Sequence, residues 1–201
     1  EAGVPAASVV CTPNGVDPDV FRVRRAIEAR TSGVAMNYDP HPVKGGDDGL
    51  AALAAAHRAA GLPATAFGTR IPEAALPPGV RFVESPSRPE LVDDVYNAST
   101  LFLQPSRQEG FGMCAVEAMA CGCALVTTAN GGSDDFAHHE ETALVCGPDP
   151  TEMAEALARL ARDDELRQRL ARSGQRFVER FRWASTAERL ERFVAERGPA
   201  Q

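Results

Sequence analysis

Two acidic residues separated by seven others, Glu109 and Glu117, are the clearest sign of chemistry in the sequence. Glu109 precedes a predicted helix and Glu117 lies between one and two turns inside it, so both carboxylates can face one cleft. Ionised carboxylates only accept hydrogen bonds, which suits the hydroxyl groups of a hexose and the vicinal diol of a ribose. The pair therefore predicts a site that brackets a nucleotide sugar, although by spacing alone such residues are more often ordinary surface carboxylates.

Glycines and a predicted helix start lie between the two carboxylates. Gly110 and Gly112 let the backbone come close to a ligand. The N–H groups of Phe111, Gly112 and Met113 form the start of the helix, where they have no partner within it. Because the positive end of the helix dipole lies there, we expect this segment to bind phosphate or hydroxyl oxygens.

A lysine next to paired glycines forms a second candidate phosphate site. Lys44 is followed by Gly45 and Gly46, and the three precede another predicted helix. A lone lysine is usually an ordinary surface residue. The two glycines, however, make a backbone pocket before a helix, and this favours a role in binding phosphate.

The elements that position these residues follow from the alternation of short apolar runs with amphipathic stretches. This alternation predicts an α/β fold, a Rossmann-like parallel sheet flanked by helices. The predicted strands cover residues 8–11, 33–38, 64–67, 80–83, 101–104, 124–127 and 143–146, and the predicted helices 48–60, 89–97, 112–120, 152–162, 165–180 and 184–197. The loop with Glu109 follows a buried strand, so it is expected at the carboxyl edge of the sheet, where open α/β sheets bind ligands.

Length and charge limit the function classes. At 201 residues the chain fits a single domain over residues 1–201, with C-terminal helices from 151 onward. Its 28 acidic and 21 basic residues give a net charge of −7, which argues against nucleic acid as a partner. No apolar run reaches the roughly 20 residues of a transmembrane segment, and the first residues lack the layout of a signal peptide. We therefore expect a cytoplasmic protein.

The cysteines predict neither a disulfide framework nor a metal site. Five cysteines are an odd number, and they are scattered through apolar segments, which is typical of reduced, buried thiols. Cys121 and Cys123 have no second His or Cys cluster with which to complete a tetrahedral site.

These motifs resemble the retaining GT-B glycosyltransferases of the Glu-x7-Glu type, the glycosyltransferase family 4-like proteins or glycosyl transferases group 1. Such enzymes transfer sugars from nucleotide diphosphate donors. Four other segments match in the same order, namely residues 10–17 (VCTPNGVD), Lys44-Gly45, residues 126–135 with Asn130-Gly131-Gly132, and Phe181-Arg182-Trp183. The matches cover nearly the whole chain, so the resemblance implies the C-terminal half of a GT-B fold.

The resemblance also implies roles for individual residues. Lys44 and Glu109 would be catalytic, with Lys44 balancing the diphosphate and Glu109 holding sugar hydroxyls near the transferred carbon. Glu117 would hold the ribose diol. The other donor-binding residues that it implies are Gly45, Phe111, Gly112, Met113, Gly131 and Gly132. Asp135 is the acidic residue after the paired glycines, and its role varies within the family.

One departure from the family pattern concerns the phosphate site. Many members have an arginine a few residues before the lysine, whereas residues 36–44 of this chain read MNYDPHPVK. His41, when protonated, or Arg70 is the expected replacement as a phosphate partner. We expect no metal and no other cofactor, because protein groups can neutralise the diphosphate.

GT-B enzymes form their active site between two Rossmann-like domains. The resemblance therefore implies a missing N-terminal acceptor-binding domain of the same polypeptide. On its own the chain is expected to bind a nucleotide-sugar donor without transferring the sugar.

Two alternative functions remain open at this stage. The first is a non-catalytic nucleotide-binding module. The second is an NAD(P)-dependent Rossmann enzyme, because residues 110–115 (GFGMCA) satisfy the dinucleotide pattern G-x-G-x-x-A. Against the second, five residues separate Gln104 from Gly110 where the pattern needs a tight turn, and Glu109 would repel a pyrophosphate.

Overall fold

The sheet has six parallel strands and helices on both faces. The computed structural model describes residues 3, 9–70 and 76–196. The strands are β1 (Val34–Asn37), β2 (Ala64–Gly68), β3 (Val80–Glu84), β4 (Leu101–Gln104), β5 (Ala124–Thr128) and β6 (Ala143–Cys146). Their order across the sheet is β3-β2-β1-β4-β5-β6. This architecture confirms the predicted Rossmann-like α/β fold.

The helices occupy the connections between strands and the C-terminal segment. They are α1 (Gly46–Ala60), α2 (Arg88–Glu90), α3 (Met113–Ala120), α4 (Pro150–Arg162), α5 (Asp164–Val178) and α6 (Trp183–Ala195). A 3-10 turn at Pro42–Lys44 leads into α1, and a π-helical turn at Leu91–Tyr96 continues α2. Among the described residues, no helix is long and apolar enough to cross a membrane.

The strand order changes direction next to β1. The chain adds β2 and β3 on one side of β1, then crosses back to place β4 on its other side, where Met36 pairs with Leu103. The loops that leave β1 and β4 therefore diverge to opposite faces of the sheet. In open α/β sheets, the crevice at such a switch point is where ligands bind.

Strands β1, β2, β4 and β5 are buried on both faces, as is usual for parallel sheets, whereas β3 and the end of β6 are partly exposed. Successive side chains of β4 point to opposite faces, so Leu101 and Leu103 pack in a core with α1 and α4. Phe102 packs instead in a second core that includes α3 and the π-helical turn. Two continuous cores thus hold the carboxyl end of β4 in place.

Six of the seven predicted strands are present, and the strand predicted over residues 8–11 is wrong for its described part. Residues 9–11 form no strand, and Ser8 lies outside the described residues. The N-terminal segment makes its sheet-like contact later, where Val16 forms a parallel bridge with Arg182 and its N–H bonds to Phe181 O at 2.7 Å. This pairing ties the segment to the chain before α6 instead of to the sheet.

The helix predicted over residues 89–97 has an unusual form. Ser87 and Glu90 cap its start reciprocally, with the Ser87 N–H donating to Glu90 at 2.8 Å. The helix then widens, because the Asn97 N–H bonds to Val92 O five residues back. The turn ends at Tyr96, which is fully buried.

The C-terminal helices begin as predicted. The boundary at Asp163-Asp164 is confirmed, because Asp163 caps α5 by accepting a hydrogen bond from the Leu166 N–H at 2.9 Å. The last helix, predicted over residues 184–197, starts at Trp183 and ends at Ala195, and Arg197 lies outside the described residues.

Candidate active site

Lys44 and Glu109 meet at the switch point of the sheet. The Lys44 Nζ atom lies 2.8 Å from Glu109 Oε2, and the side chains are 37% and 12% exposed. The other oxygen of Glu109 accepts a hydrogen bond from Ser106 Oγ at 2.7 Å. The loops after β1 and β4 therefore bring together the two residues that the resemblance singles out as catalytic, and both oxygens of the carboxylate are held.

The two loops are also joined through their backbones. The N–H groups of Arg107 and Gln108 both donate to Val43 O, at 2.8 and 3.4 Å. Gly45 has a left-handed conformation (φ 62°), and a Cβ atom there would lie 2.2 Å from Pro105 O. Only glycine allows this approach, so Gly45 supports the Lys44–Glu109 geometry by packing against the loop after β4.

A third loop holds Glu109 from the other side. The Glu109 N–H donates to Asn130 O at 3.1 Å, and a Cβ atom on Gly132 would lie 2.6 Å from Glu109 O. Gly131 has a left-handed conformation (φ 80°) with open space around its Cα. These glycines, predicted to bind the donor, thus shape the backbone behind Glu109, and neither lines the cleft described below.

The predicted helix start lies in front of the pair. Helix α3 begins at Met113, and Gly112 precedes it in a left-handed conformation (φ 93°). A Cβ atom on Gly112 would lie 2.7 Å from Gln104 Nε2, so this position also requires glycine. Within the described residues, the N–H groups of Phe111 and Gly112 donate to no protein acceptor. They are therefore available to a ligand.

These features line one cleft of about 310 Å³. Of the predicted site residues, Lys44, Glu109, Phe111, Gly112 and Met113 contribute to its wall. The other polar side chains of the wall are Asn14, Asn37, Asp39, Gln104, Ser106 and Cys114. The volume is that of a small-molecule site, and within the described part of the chain Lys44 supplies its only cationic side chain.

Glu117 is partly buried on α3, one turn after the cleft residue Cys114, and does not itself line the cleft. Its Oε2 accepts a hydrogen bond from the Tyr96 hydroxyl at 3.1 Å. Burial raises the pKa of Glu117, while the Tyr96 hydrogen bond and the charge of Arg88 act in the opposite direction. The two carboxylates of the motif are therefore close to one cleft but not equivalent.

Cys114 links the surroundings of the two carboxylates. It lines the cleft, and its side chain lies one turn before Glu117 on α3. Burial first, then the negative charges of Glu117 and Glu109, raise the pKa of the Cys114 thiol to about 11. Glu109 lines the cleft and Glu117 does not, so the prediction that both carboxylates face one cleft holds for Glu109 only.

The proposed replacements for the missing arginine lie outside the cleft. His41 is exposed and caps the 3-10 turn, where its Nδ1 accepts a hydrogen bond from the Val43 N–H at 3.4 Å. Arg70 is exposed after the end of β2. Asp135 is exposed as well, and none of the three lines the cleft. Of the residues that the structure describes, Lys44 is the one cationic side chain in the wall of the cleft.

Sequence reasoning missed several polar residues of the site. Gln104 ends an otherwise apolar strand, and its Oε1 accepts hydrogen bonds from Thr127 at 3.2 Å and Ser133 at 3.1 Å. Gln104 could have been recognised as a site residue because it is a polar residue at the carboxyl end of a buried strand. Lys44 had a stronger signal, because it is the only lysine in a chain with 21 basic residues.

Among the described residues, no group of three or more His, Cys, Asp or Glu side chains could hold a metal ion. Cys121 and Cys123 are buried, and burial raises the pKa of both thiols, that of Cys123 to about 12.

Comparison with known proteins agrees with this geometry. The family model for glycosyl transferases group 1 matches residues 67–177. A D-inositol 3-phosphate glycosyltransferase from Corynebacterium jeikeium is 37% identical over 122 residues, which are 60% of this chain and 29% of that protein. The chain thus spans less than a third of the length of this curated relative.

Two solved structures have the same fold. HepE from Anabaena, described in complex with UDP-glucose, aligns with a TM-score of 0.81 at 19% identity, covering 97% of this chain and 59% of that one. The C-terminal domain of a glycosyl transferase group 1 family protein (LpcC) from Francisella tularensis aligns with a TM-score of 0.70 at 22% identity. That alignment covers 82% of this chain and 97% of the other. The family model covers more than half of the chain, and we conclude that the chain belongs to the glycosyl transferases group 1 family, with the fold of a GT-B C-terminal domain.

Proposed function

We propose that this chain is the donor-binding domain of a retaining glycosyltransferase and holds a nucleoside diphosphate sugar in the cleft at the switch point. The contact between Lys44 and Glu109 beside the start of α3 carries this proposal. The contact places a cation that can bind phosphate, Lys44 Nζ, 2.8 Å from Glu109 Oε2, which can accept hydrogen bonds from sugar hydroxyls.

The diphosphate would lie between Lys44 and the first turn of α3. The Lys44 ammonium has three hydrogen atoms to donate, so it can keep Glu109 and still bind phosphate oxygens. The free N–H groups of Phe111 and Gly112 add two donors at the positive end of the helix. This local set explains how a chain with a net charge of −7 can bind an anion.

The two carboxylates would bind the sugars at the two ends of the donor. Glu109 accepts hydrogen bonds from hydroxyls of the transferred hexose, and Ser106 keeps the orientation of its carboxylate. Glu117 accepts from the ribose diol. Their different surroundings suit these tasks, because Glu109 lies in the cleft beside Lys44, where the hexose would react, while Glu117 only has to hold the ribose.

In the reaction, the bond between the anomeric carbon and the diphosphate oxygen breaks through an oxocarbenium-like transition state. The acceptor hydroxyl attacks the same face of that carbon, and the leaving phosphate takes its proton, so the products are the glycoside and the nucleoside diphosphate. Negative charge grows on the leaving phosphate as the bond breaks. Lys44 and the helix N–H groups therefore stabilise the transition state more than the bound donor.

The acceptor would bind on an N-terminal domain of the same polypeptide. The chain aligns with 59% of HepE, which supports a longer enzyme. The sugar transferred stays undetermined, and UDP-glucose on HepE makes a uridine donor the first one to test. No metal is part of this scheme, in which Lys44 and the helix N–H groups stabilise the charge of the diphosphate.

The proposal can be tested on the chain itself by thermal shift with UDP-glucose, GDP-mannose, ADP-glucose and NAD⁺. We expect one sugar nucleotide, at a hundredfold excess over its Kd, to raise Tm by roughly 5 °C. Stabilisation by NAD⁺ alone would support the dinucleotide alternative, and no stabilisation by any sugar nucleotide would refute donor binding.

The single lysine allows a direct check of the contact. Reductive methylation with ¹³C-formaldehyde labels Lys44 and the chain's N-terminal amine, so one NMR signal reports the side chain. This signal should shift when the stabilising sugar nucleotide is added. Lys44→Arg, labelled in the same way, identifies the signal by its loss. Binding without any change in the Lys44 signal would contradict its place in the phosphate site.

A further inference from the structure

We infer that Tyr96 is a positioning residue for the nucleotide: its hydroxyl holds one oxygen of Glu117 so that the other oxygen is presented to the ribose. This inference rests on the proposed function, because it assigns Glu117 to the ribose diol. It adds a residue that lies outside the cleft and outside every motif recognised in the sequence.

The ring of Tyr96 is fixed by three aromatic neighbours. Its centroid lies 6.3 Å from that of Phe21 and 5.8 Å from those of Phe67 and Phe102. The side chain is completely buried. A phenol in such surroundings has no access to water, so its hydroxyl requires a partner within the protein.

The backbone of Tyr96 belongs to an irregular element. The wide turn Leu91–Tyr96 has more residues per turn than an α-helix, and Tyr96 is its last residue. Turns of this kind are frequent at functional sites. Here the wide turn supplies the Tyr96 side chain, which extends from the core that contains Phe102 to Glu117 on α3.

The hydroxyl has Glu117 as its acceptor and also interacts with the Cys114 thiol. Tyr96 donates to Glu117 Oε2 at 3.1 Å, and among the residues that the structure describes none donates to Oε1. A carboxylate held by one oxygen loses little rotational freedom when a ligand binds the other, so the affinity for that ligand increases. Tyr96 thus pre-organises the acceptor for the diol.

The hydroxyl also favours the ionised form of Glu117. Burial raises the pKa of this carboxyl, whereas the Tyr96 hydrogen bond and Arg88 lower it. The other titratable groups that interact with Glu117 are the thiols of Cys114 and Cys121. Loss of the hydroxyl would therefore raise the pKa of Glu117 further.

The test is titration calorimetry with Tyr96→Phe, using the diphosphate among UDP, GDP and ADP that binds the unmodified chain most tightly, and its 2′-deoxy counterpart. Tyr38→Phe is the matched control, because the Tyr38 hydroxyl also lies 3.1 Å from a carboxylate, that of Asp47. We expect the unmodified chain to prefer the ribonucleotide about tenfold, as for a hydrogen bond to a charged group. Tyr96→Phe should lose most of this preference, and Tyr38→Phe should keep it.

The pH dependence separates positioning from a structural role. Glu117 accepts hydrogen bonds from the ribose more strongly when ionised, so the ribose preference is largest above its pKa and weakens as the pH falls through it. In Tyr96→Phe the loss should begin at a higher pH. A purely structural role would weaken ribonucleotide and deoxyribonucleotide binding equally and leave the pH profile of the ratio unchanged, which would overturn the inference.

A second measurement keeps the inference testable if Tyr96→Phe does not fold. The chain has two tyrosines, so Tyr38→Phe grown with 3-fluorotyrosine carries fluorine only at position 96. Its ¹⁹F signal should move more with the ribonucleotide than with the deoxynucleotide, and equal shifts would overturn the inference. If no diphosphate binds the unmodified chain, the proposed function itself fails. Binding with unchanged ribose preference in Tyr96→Phe refutes only the role of Tyr96.

Discussion

Glu109 and Glu117 belong to one motif, yet the fold gives them opposite surroundings. Glu109 lies in a loop, contacts the Lys44 ammonium at 2.8 Å and lines the cleft. Glu117 lies on α3, has the Tyr96 hydroxyl as its partner and has a pKa raised by burial. The position of Glu109 depends on three loops from three strands, whereas that of Glu117 depends on one helix and one neighbouring turn. Under the proposed function, two glutamates of one motif therefore take different roles, Glu109 at the reacting sugar and Glu117 at the ribose.

The largest effect on activity should come from substitutions in the Lys44–Glu109 pair. In a longer chain that includes the acceptor half, we expect Lys44→Ala and Glu109→Gln each to lower kcat about a hundredfold, because charge develops next to both residues. Steady-state kinetics would measure this loss, and circular dichroism would verify the fold. Arg58→Ala, a change at an exposed residue of α1, is the control. Near-normal turnover in either cleft variant would refute the catalytic assignment.

The next effect concerns the backbone that brings the pair together, and it uses the two ends of α1. Gly45 and Gly61 have almost the same left-handed conformation, with φ 62° and 64°. A Cβ atom on Gly45 would lie 2.2 Å from Pro105 O, while one on Gly61 would meet open space. We expect Gly45→Ala to destabilise the chain by about 2 to 3 kcal/mol, and Gly61→Ala by about 1 kcal/mol from backbone strain alone.

Denaturant unfolding of both variants measures this difference. Gly45→Ala should also weaken binding of the sugar nucleotide, since it separates the loops that hold Lys44 and Glu109, whereas Gly61→Ala should leave binding unchanged. Equal losses of stability in the two variants would show that the contact with Pro105 contributes nothing.

A third prediction sharpens the comparison at the other carboxylate. Glu117→Gln keeps the shape of the side chain but replaces the charged acceptor, so we expect affinity for the ribonucleoside diphosphate to fall about tenfold. The 2′-deoxy form should be affected little. Calorimetry with both nucleotides measures the ratio, and Glu109→Gln provides the contrast because it should leave the ribose preference intact. A preference that survives Glu117→Gln would remove Glu117 from the ribose site.

The sequence was sufficient for the parts of this arrangement that are local. The apolar runs predicted β1 to β6. A buried parallel strand consists of consecutive, mostly apolar residues, as in Leu101–Gln104, and such a run can be recognised in the sequence. The helix with Glu117 followed from spacing in the same way. The family resemblance added Lys44, whose contact with Glu109 spans 65 positions and which the periodicity of the chain could not reveal.

What the sequence did not reveal depends on contacts between distant segments. The strand predicted near Val10 has the right composition, but the segment pairs with the chain before α6, and only the tertiary structure decides this. Tyr96 looked like one more apolar helix position, since nothing in residues 89–97 marks a widened turn. Arg70 and His41 were reasonable cations by order along the chain, yet both are exposed and neither lines the cleft.

The smallest effect, and the one that tests the comparison most directly, is on stability. Glu109→Gln removes the ion pair with Lys44 and should lower the free energy of unfolding by up to about 1 kcal/mol, as expected for a partly exposed pair. Glu117→Gln should raise it at neutral pH by at most about 1 kcal/mol, because the folded state raises the pKa of Glu117 and so disfavours its ionised form. In the unmodified chain this cost is present above the folded pKa and disappears as the pH falls through it. The gain from Glu117→Gln should therefore vanish in acid. Denaturant unfolding at several pH values measures the change in the free energy of unfolding for each variant. If both variants are destabilised at neutral pH, burial does not distinguish the two carboxylates.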